Sequence, residues 1–123
     1  MRVLEIGTRK HTEVIAIDEK GQGNANHEYQ IVGSAPIPPD NVSGKILGKI
    51  SFQNGPIKEF GVNGIHNEDL IAIVIDRLDG FQSGDFACED NAVAKCLLEK
   101  ALSQLKKRTD EREARGVEGT HTV

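Results

Sequence analysis

The sequence predicts an α+β fold in which an N-terminal antiparallel β-sheet precedes a C-terminal helical hairpin. Residues 1–64 contain segments of β-forming side chains separated by turn clusters rich in Gly and Asn. Residues 65–123 contain no Pro, few Gly, and two segments with helical spacing. Because 123 residues is the usual length of one domain, we expect a single domain, with residues 1–64 as its β part and residues 65–123 as the hairpin and tail.

The first two predicted strands form a hairpin. Residues 14–17 and 27–32 are rich in β-forming side chains, and a turn-forming cluster at residues 19–24 separates them. Three prolines follow within residues 35–39, and each of them removes a ladder N–H donor. We therefore expect a loop or an ordered flap at this segment and exclude a central strand.

A second hairpin is predicted further along the chain. Residues 45–53 alternate in part between apolar and polar side chains, which indicates a strand. The dipeptide Asn54-Gly55 is typical of a two-residue hairpin turn. Residues 56–61 are then expected to return along the sheet as an edge strand.

Residues 67–78 are predicted to form the first helix of the hairpin. Asn67 is a suitable N-cap, and the two acidic residues after it are favourable in a first helical turn. The apolar residues at helical spacing are Leu70, Val74 and Leu78. The apolar run at residues 70–75 is equally compatible with a buried strand, so the cap and a stop at Gly80 decide for the helix.

Residues 85–116 are predicted to form a second, longer helix. The segment contains no Pro and no internal Gly, and Ala, Leu, Lys and Glu dominate its composition. These residues have high helix propensity, so the prediction depends little on periodicity. The two helices are expected to join near residues 80–85.

The composition limits the classes of function. Fifteen basic and nineteen acidic residues give a formal net charge of −4, which argues against a surface that binds duplex nucleic acid. The sequence shows no signal-peptide core and no membrane-spanning apolar run, so we expect a cytoplasmic protein without a membrane partner. Hydrophobic residues make up 37% of the chain and Trp is absent, which predicts a modest aliphatic core and favours burial between identical subunits.

Residues with catalytic or metal-binding chemistry are few. The four His lie in separate segments without a nucleophile motif, so we assign no catalytic residue. Cys88 and Cys96 lack the second pair that a zinc site needs, so we expect no metal and no cofactor and interpret both as small reduced core residues. Gly21-Gln22-Gly23 lacks the third glycine and the following helix of a phosphate loop and is interpreted as a turn.

One face of the long predicted helix changes from apolar to cationic. Its members recur in alternating steps of three and four residues: Asn91, Ala94, Leu98, Ala101, Leu105, Arg108 and Arg112. If the apolar part packs against another helix, Arg108 and Arg112 would point at the same partner and repel each other unless an anion lies between them. The alternative is a solvated helix end, where both would pair with Asp110, Glu111 or Glu113.

The junction of the two helices carries aromatic and amide side chains. The ring of Phe81 could stack on a base while the amide of Gln82 reads the edge of that base. Alternatively, Phe81 closes the hairpin as a packing residue. Asn91 is unfavourable inside a helix, which suggests a hydrogen-bonding role, with a capping or surface role as the alternative.

Several ordered motifs between residues 50 and 120 carry a more specific signal. They are Phe52-Gln53-Asn54-Gly55-Pro56-Ile57-Lys58-Glu59, Val62-Asn63-Gly64-Ile65, Asn67-Glu68-Asp69-Leu70, Phe81-Gln82, Phe86-Ala87-Cys88, Arg108-Thr109-Asp110-Glu111-Arg112 and Val117-Glu118-Gly119-Thr120. In this order they resemble the family of phage Thoeris anti-defence proteins of the first type, whose helical hairpin is shared with an anti-CBASS sponge family.

The resemblance implies a binding protein without a catalytic step. Family members bind cyclised or glycocyclic ADP-ribose messengers of TIR-domain proteins in pockets at subunit contacts, and some hold cyclic di- or trinucleotides at a separate site. By this resemblance, Phe81 and Asn91 would contact the ADP-ribose messenger, and Arg108 and Arg112 would contact the phosphates of a cyclic oligonucleotide. The implied assembly is a homo-oligomer, a hexamer built from dimer contacts, in the cytoplasm of the infected bacterial host.

Two other functions are compatible with the residues. A hydrolase or cyclase acting on the same messenger would need a carboxylate or His against the scissile bond. A ligand-free virion protein or adaptor would hold both arginines in salt bridges. Its melting temperature would not rise when cyclic nucleotides are added.

Overall fold

The computed structural model describes residues 1–7, 10–34, 36–37, 40–41 and 44–123. These residues form two compact units, Met1–Ile65 and His66–Val123. The first unit contains the strands and one short helix, and the second contains two long helices. The predicted α+β fold, with an antiparallel sheet preceding helices, is confirmed. That the two units form a single domain stays a prediction.

The described part of the first unit contains a four-stranded antiparallel sheet and a separate two-stranded one. The strands in chain order are β1 (Arg2–Val3), β2 (Thr12–Ala16), β3 (Glu28–Gly33), β4 (Pro36–Ile37), β5 (Asp40–Asn41) and β6 (Ile46–Ser51). The sheet has the order β1-β2-β3-β6. Val14 lies opposite Ile31 in the β2–β3 pair, which confirms the first predicted hairpin. Apolar pairs of this kind stabilise adjacent strands.

The described residues of the proline-rich segment pair outside the four-stranded sheet. These residues, Pro36 and Ile37, form β4, which pairs with β5. The prediction that these residues are excluded from a central strand is therefore confirmed, whereas Ala35, Pro38 and Pro39 lie outside the described residues. The predicted turn between the first two strands is also confirmed, since Gln22–Asn24 form a single 3-10 turn.

Asp18 closes the connection between β2 and β3. Its carboxylate accepts hydrogen bonds from the backbone N–H groups of His27, at 3.0 Å, and Glu28, at 3.2 Å. Buried Asn26 donates to the Asp18 backbone carbonyl at 2.7 Å and accepts from Arg2 at 2.7 Å. Desolvation by burial raises the pKa of Asp18, but the hydrogen bonds outweigh it and hold the pKa below its ordinary value of 3.8.

The prediction of a second hairpin is wrong. The expected edge strand is instead a short helix, α1 (Ile57–Phe60), which begins after Pro56 and ends at Gly61. Proline cannot donate to a strand ladder, and its φ of −63° suits the chain just before a helix. Gly61 has a φ of 70°, a left-handed conformation that glycine adopts readily at a helix end. A parallel bridge joins Phe52 to Ile65 where the antiparallel return was expected.

The first predicted helix of the hairpin is confirmed: it begins at residue 67 as predicted and ends four residues later than predicted. It is α2 (Asn67–Gln82). His66 precedes it as the N-cap residue, and its backbone N–H donates to Oδ2 of Asp69 at 2.9 Å. Asn67 is therefore the first helical residue and not the cap. The predicted stop at Gly80 is also wrong, because a glycine costs a helix only about 1 kcal/mol relative to Ala and does not oblige it to end.

The long helix is confirmed and is shorter than the predicted residues 85–116. It is α3 (Glu89–Ala114). It begins later because Cys88 is its N-cap, with Sγ accepting a hydrogen bond from the N–H of Asn91 at 3.4 Å. The interpretation of Cys88 and Cys96 as core residues is wrong, since both thiols are free and exposed. A capping position and an outward helix face require no apolar burial of a small side chain.

Few apolar side chains are buried in the described part of the chain. Ala16 is the one buried hydrophobic residue there, and no large side chain is fully buried. The exposed large apolar residues of the two long helices are Ile73, Val74, Phe81, Val93 and Leu97. None of the helices in the described residues is sufficiently long and apolar to span a membrane.

Candidate functional site

The two long helices contact each other through one face each. The less exposed residues of α2 are Glu68, Leu70, Ile71, Ile75, Leu78 and Gln82, and all of them except Leu70 recur at helical spacing. An ion pair between Lys95 Nζ and Asp79 Oδ1, at 3.0 Å, links the end of α2 to the start of α3. The hydrogen bond to Asp79 and the charges of Asp79 and Glu99 raise the pKa of Lys95, against a smaller opposing effect of desolvation. The ion pair helps to hold the junction of the helices in place.

The predicted seam of α3 follows its contact face only in part. The less exposed residues there are Asn91, Ala94, Lys95, Leu98, Leu102, Leu105, Thr109 and Arg112. Ala101 and Arg108 are exposed, so the expectation that they share this face is wrong. At 3.6 residues per turn, Leu102 lies about 40° around the helix from Leu98 and Ala101 lies about 60° in the other direction. Both positions are near the seam, but Leu102 lies closer to Leu98 around the helix, and it is Leu102 that is less exposed.

Phe81 is part of an aromatic cluster at the end of α2. Its ring centroid lies 6.2 Å from that of Phe86, with the planes at 77° in an edge-to-face arrangement. The guanidinium carbon of Arg77 lies over the Phe81 ring, 5.4 Å from its centroid. Phe81 is 36% exposed and Phe86 is 75% exposed. The cluster is therefore an accessible aromatic surface with a cation attached, which suits contact with a planar, anionic ligand.

Two amide side chains hold the loop between α2 and α3. Gln82 Oε1 accepts a hydrogen bond from the backbone N–H of Cys88 at 2.9 Å. Asn91 Nδ2 donates to the backbone carbonyl of Phe86 at 3.3 Å. Asn91 therefore positions the residue whose ring contacts Phe81, and the structure brings the two predicted messenger-binding residues, Phe81 and Asn91, to one junction.

Arg108 and Arg112 occupy different environments. Arg112 is 7% exposed, and its Nε donates to Glu118 Oε2 at 3.1 Å while Nη2 donates to the carbonyl of Val117 at 3.0 Å. Arg108 is exposed, and no described residue forms a hydrogen bond or an ion pair with it. Within the described residues, neither arginine pairs with the acidic side chains expected for a solvated helix end, which are Asp110, Glu111 and Glu113.

The comparisons with known proteins agree with the motifs of the hairpin. The model of the Acb2/Tad1 family, hairpin domain, matches residues 45–110. A protein of Bacillus phage SBSphiJ7 named Thoeris anti-defense 1 is 42% identical over 135 aligned positions, which cover 95% of this chain and 94% of that protein. The chain belongs to the Acb2/Tad1 family. The family resemblance predicted from the motifs is thereby confirmed.

The Acb2/Tad1 match covers part of the candidate site. Phe81, Asn91 and Arg108 lie inside the matched residues, whereas Arg112 and the tail it contacts lie beyond residue 110. The aromatic cluster at the helix junction is thus within the hairpin that defines the family.

Arg77 is not among the residues predicted from the sequence, and Phe86 is predicted only as part of a motif. Arg77 precedes Phe81 by four residues, and this spacing places two helical side chains on the same face. That spacing could have identified it. Phe86 follows α2 in a loop, where no periodicity indicates which side chain it meets. The described residues also contain no group of His, Cys, Asp and Glu side chains that could hold a metal ion.

Proposed function

We propose that this chain is a phage anti-defence protein that binds and sequesters a cyclised ADP-ribose immune messenger without cleaving it. The accessible cluster of Phe81 and Phe86, with the Arg77 guanidinium over one ring, carries the proposal. A nucleotide base stacks on such a ring with a gain of about 1–3 kcal/mol. The relative named Thoeris anti-defense 1 supports the biological assignment.

The chemistry of the cluster suits binding better than bond cleavage. Phe81 would stack on the base, and Asn91 would contribute its amide to the ligand or hold the loop that carries Phe86. A phenyl ring and a carboxamide have no proton that titrates near neutral pH, and a guanidinium does not give up its proton in proteins. General acid–base catalysis needs a group that exchanges a proton during the reaction. The proposed function therefore has no catalytic residue, metal or cofactor.

We further propose that the binding site is completed in a homo-oligomer, a hexamer built from dimer contacts, in the cytoplasm of the infected host. The exposed apolar residues of both long helices support this assembly: Ile73, Val74, Val93 and Leu97. Burial of such residues between subunits supplies the apolar packing that the described chain lacks by itself. A partner helix beside Phe81 would also enclose the ligand.

A second site for cyclic di- or trinucleotides is proposed at Arg108 and Arg112. Arg108 supports it, because an exposed arginine without a protein partner has all five N–H donors available for phosphate. Arg112 would contribute positive charge in the next turn of α3. To contact phosphate directly, Arg112 would have to break its hydrogen bonds to Glu118 and to the tail carbonyls and form new ones to the ligand.

The test is capture and recovery of the messenger. The purified protein is incubated with cyclised ADP-ribose, freed of unbound ligand and heat-denatured, and the released molecule is identified by mass spectrometry. We expect the intact messenger. Phe81→Ala and Asn91→Ala should each weaken capture about 5- to 150-fold, from losses of about 1–3 kcal/mol. Ile6→Ala, which shortens an exposed apolar side chain in the first unit, should leave capture unchanged.

The outcomes separate the alternatives. Release of a product with a different mass would show a hydrolase or cyclase. Absence of any captured nucleotide, together with an unchanged melting temperature in its presence, would favour a ligand-free structural protein. Normal capture by both Phe81→Ala and Asn91→Ala would remove the aromatic junction from the site.

A further inference from the structure

We infer that Arg77 is a ligand-binding residue of the Phe81 site, and that its guanidinium binds the diphosphate of the cyclised ADP-ribose messenger. The inference deepens the proposed function and rests on it. It assigns the anionic part of the ligand to a residue that neither the sequence motifs nor the comparisons single out.

The position of Arg77 is set by Phe81. The two residues lie one helical turn apart on α2, and the guanidinium carbon is 5.4 Å from the ring centroid, within the range of a cation–π contact. The ring therefore restricts a side chain that would otherwise sample many rotamers in solvent. A cation ordered in this way loses less conformational freedom when it binds a ligand.

The hydrogen-bonding groups of Arg77 are unused by the described residues. No carboxylate or carbonyl among them accepts a hydrogen bond from Arg77. Three other cations of the helical unit, by contrast, have protein partners: Lys95 pairs with Asp79, Arg112 with Glu118, and Arg115 donates to the carbonyl of Val123. Arg77 thus combines a contact with the ring proposed to stack on the base with N–H donors that no described residue uses.

The ligand has matching chemistry. In ADP-ribose one ribose separates the adenine from the diphosphate, so a base stacked in the Phe81 cluster brings the phosphate oxygens near the same end of α2. The planar fork of a guanidinium binds two such oxygens at once, which an ammonium group cannot do. The opposing explanation is that Arg77 only covers the Phe81 ring and keeps it in place.

Calorimetric titration of the full-length protein with cyclised ADP-ribose, at low and at high salt, distinguishes these two roles. Arg77→Gln should weaken binding about 10- to 100-fold, since it removes charge-assisted hydrogen bonds. Its affinity should also depend less on salt than that of the wild type, because one ionic contact is lost. The affinity of Arg77→Lys should lie between that of the wild type and that of Arg77→Gln. Lys107→Gln removes one charge from an exposed position of α3 and should bind as the wild type does.

Three results are decisive. If Arg77→Gln has the affinity and salt dependence of the wild type, Arg77 does not bind the diphosphate, while the proposed sequestration stands. If its affinity falls but the salt dependence stays that of the wild type, Arg77 only positions Phe81, and the inference is overturned. If the wild type itself binds no cyclised ADP-ribose, the proposed function fails and the assignment of Arg77 fails with it. Because Arg77 is exposed, we expect Arg77→Gln to retain the helix content of the wild type by circular dichroism.

Discussion

Replacing Arg112 by Ala should release the C-terminal tail from α3 without unfolding either unit. The buried guanidinium donates to Glu118 Oε2 at 3.1 Å and to the Val117 carbonyl at 3.0 Å. It also donates to the carbonyls of Thr120 and Thr122. One side chain therefore contacts four residues of the tail, which has no strand or helix of its own after Ala114.

The expected effect on tail opening is about 3 kcal/mol. Removing one partner of a buried ion pair costs about 3–5 kcal/mol, mostly because the other charge is left buried. The Glu118 side chain is 36% exposed and regains water when the tail opens, so the lower end of that range applies. Since about 1.4 kcal/mol corresponds to a factor of ten, the open tail should become about 100-fold more populated.

Hydrogen exchange measured by mass spectrometry reports this opening. In the closed tail the N–H of Val117 donates to the carbonyl of Arg112 at 3.0 Å, and the N–H of Thr120 donates to that of Val117 at 3.1 Å. Both amides should exchange about 100-fold faster in Arg112→Ala. Arg115→Ala is the matched control, because it loses one exposed hydrogen bond, worth about 1 kcal/mol, to Val123. Equal tail exchange in the two variants would refute the assignment of Arg112 as the residue that holds the tail.

Two further predictions concern single charges. Arg108→Glu should abolish the binding of a cyclic trinucleotide measured by calorimetry. Hydrogen exchange in the tail and the affinity for cyclised ADP-ribose should stay unchanged, because Arg108 has no described partner to lose. If the variant binds the trinucleotide normally, Arg108 is an ordinary surface charge. Because folding lowers the pKa of Asp18, its stabilising contribution is present above pH 3.8 and is lost as the pH falls through the lower pKa of the folded state. Asp18→Asn should therefore flatten the acid side of the curve of melting temperature against pH, and an acid side like that of the wild type would contradict this account.

The long elements could be predicted from the sequence because local preferences and burial agree there. A turn cluster between two β-forming segments predicted the β2–β3 hairpin, and composition alone predicted α3. The short helix α1 could not be predicted in this way, because non-local contacts determine it. A Cβ at Gly55 would lie 2.5 Å from the Phe60 ring, and Gln53 donates to the carbonyls of Gly55 and Gly61 at 3.1 and 2.9 Å. These contacts override the hairpin preference of Asn54-Gly55.

The sequence nominates residues for the candidate site but not the contacts between them. The family resemblance nominates Phe81 and Asn91, which lie at one junction, but the link between them runs through the backbone of Phe86. Periodicity also could not reveal the burial of Arg112. That burial depends on the chain reversing after α3, with Gly116 and Gly119 at φ of 72° and 78°, and on acceptors that lie five to ten residues further along.

The two proposed sites consequently differ in what binding requires of the protein. At the junction, Phe81 and Arg77 are accessible and already in contact, so a stacking ligand displaces no protein hydrogen bond of these side chains. At the second site, direct contact between phosphate and Arg112 requires the tail to open. If opening costs the wild type at least the contribution of Arg112, about 3 kcal/mol, the apparent affinity for a ligand that needs the open tail is at least about 100-fold below the intrinsic one. Arg108, which has no described partner to give up, would then form the first contact with a cyclic oligonucleotide. The strength of the contacts between Arg112 and the tail would determine the affinity of the second site for that ligand.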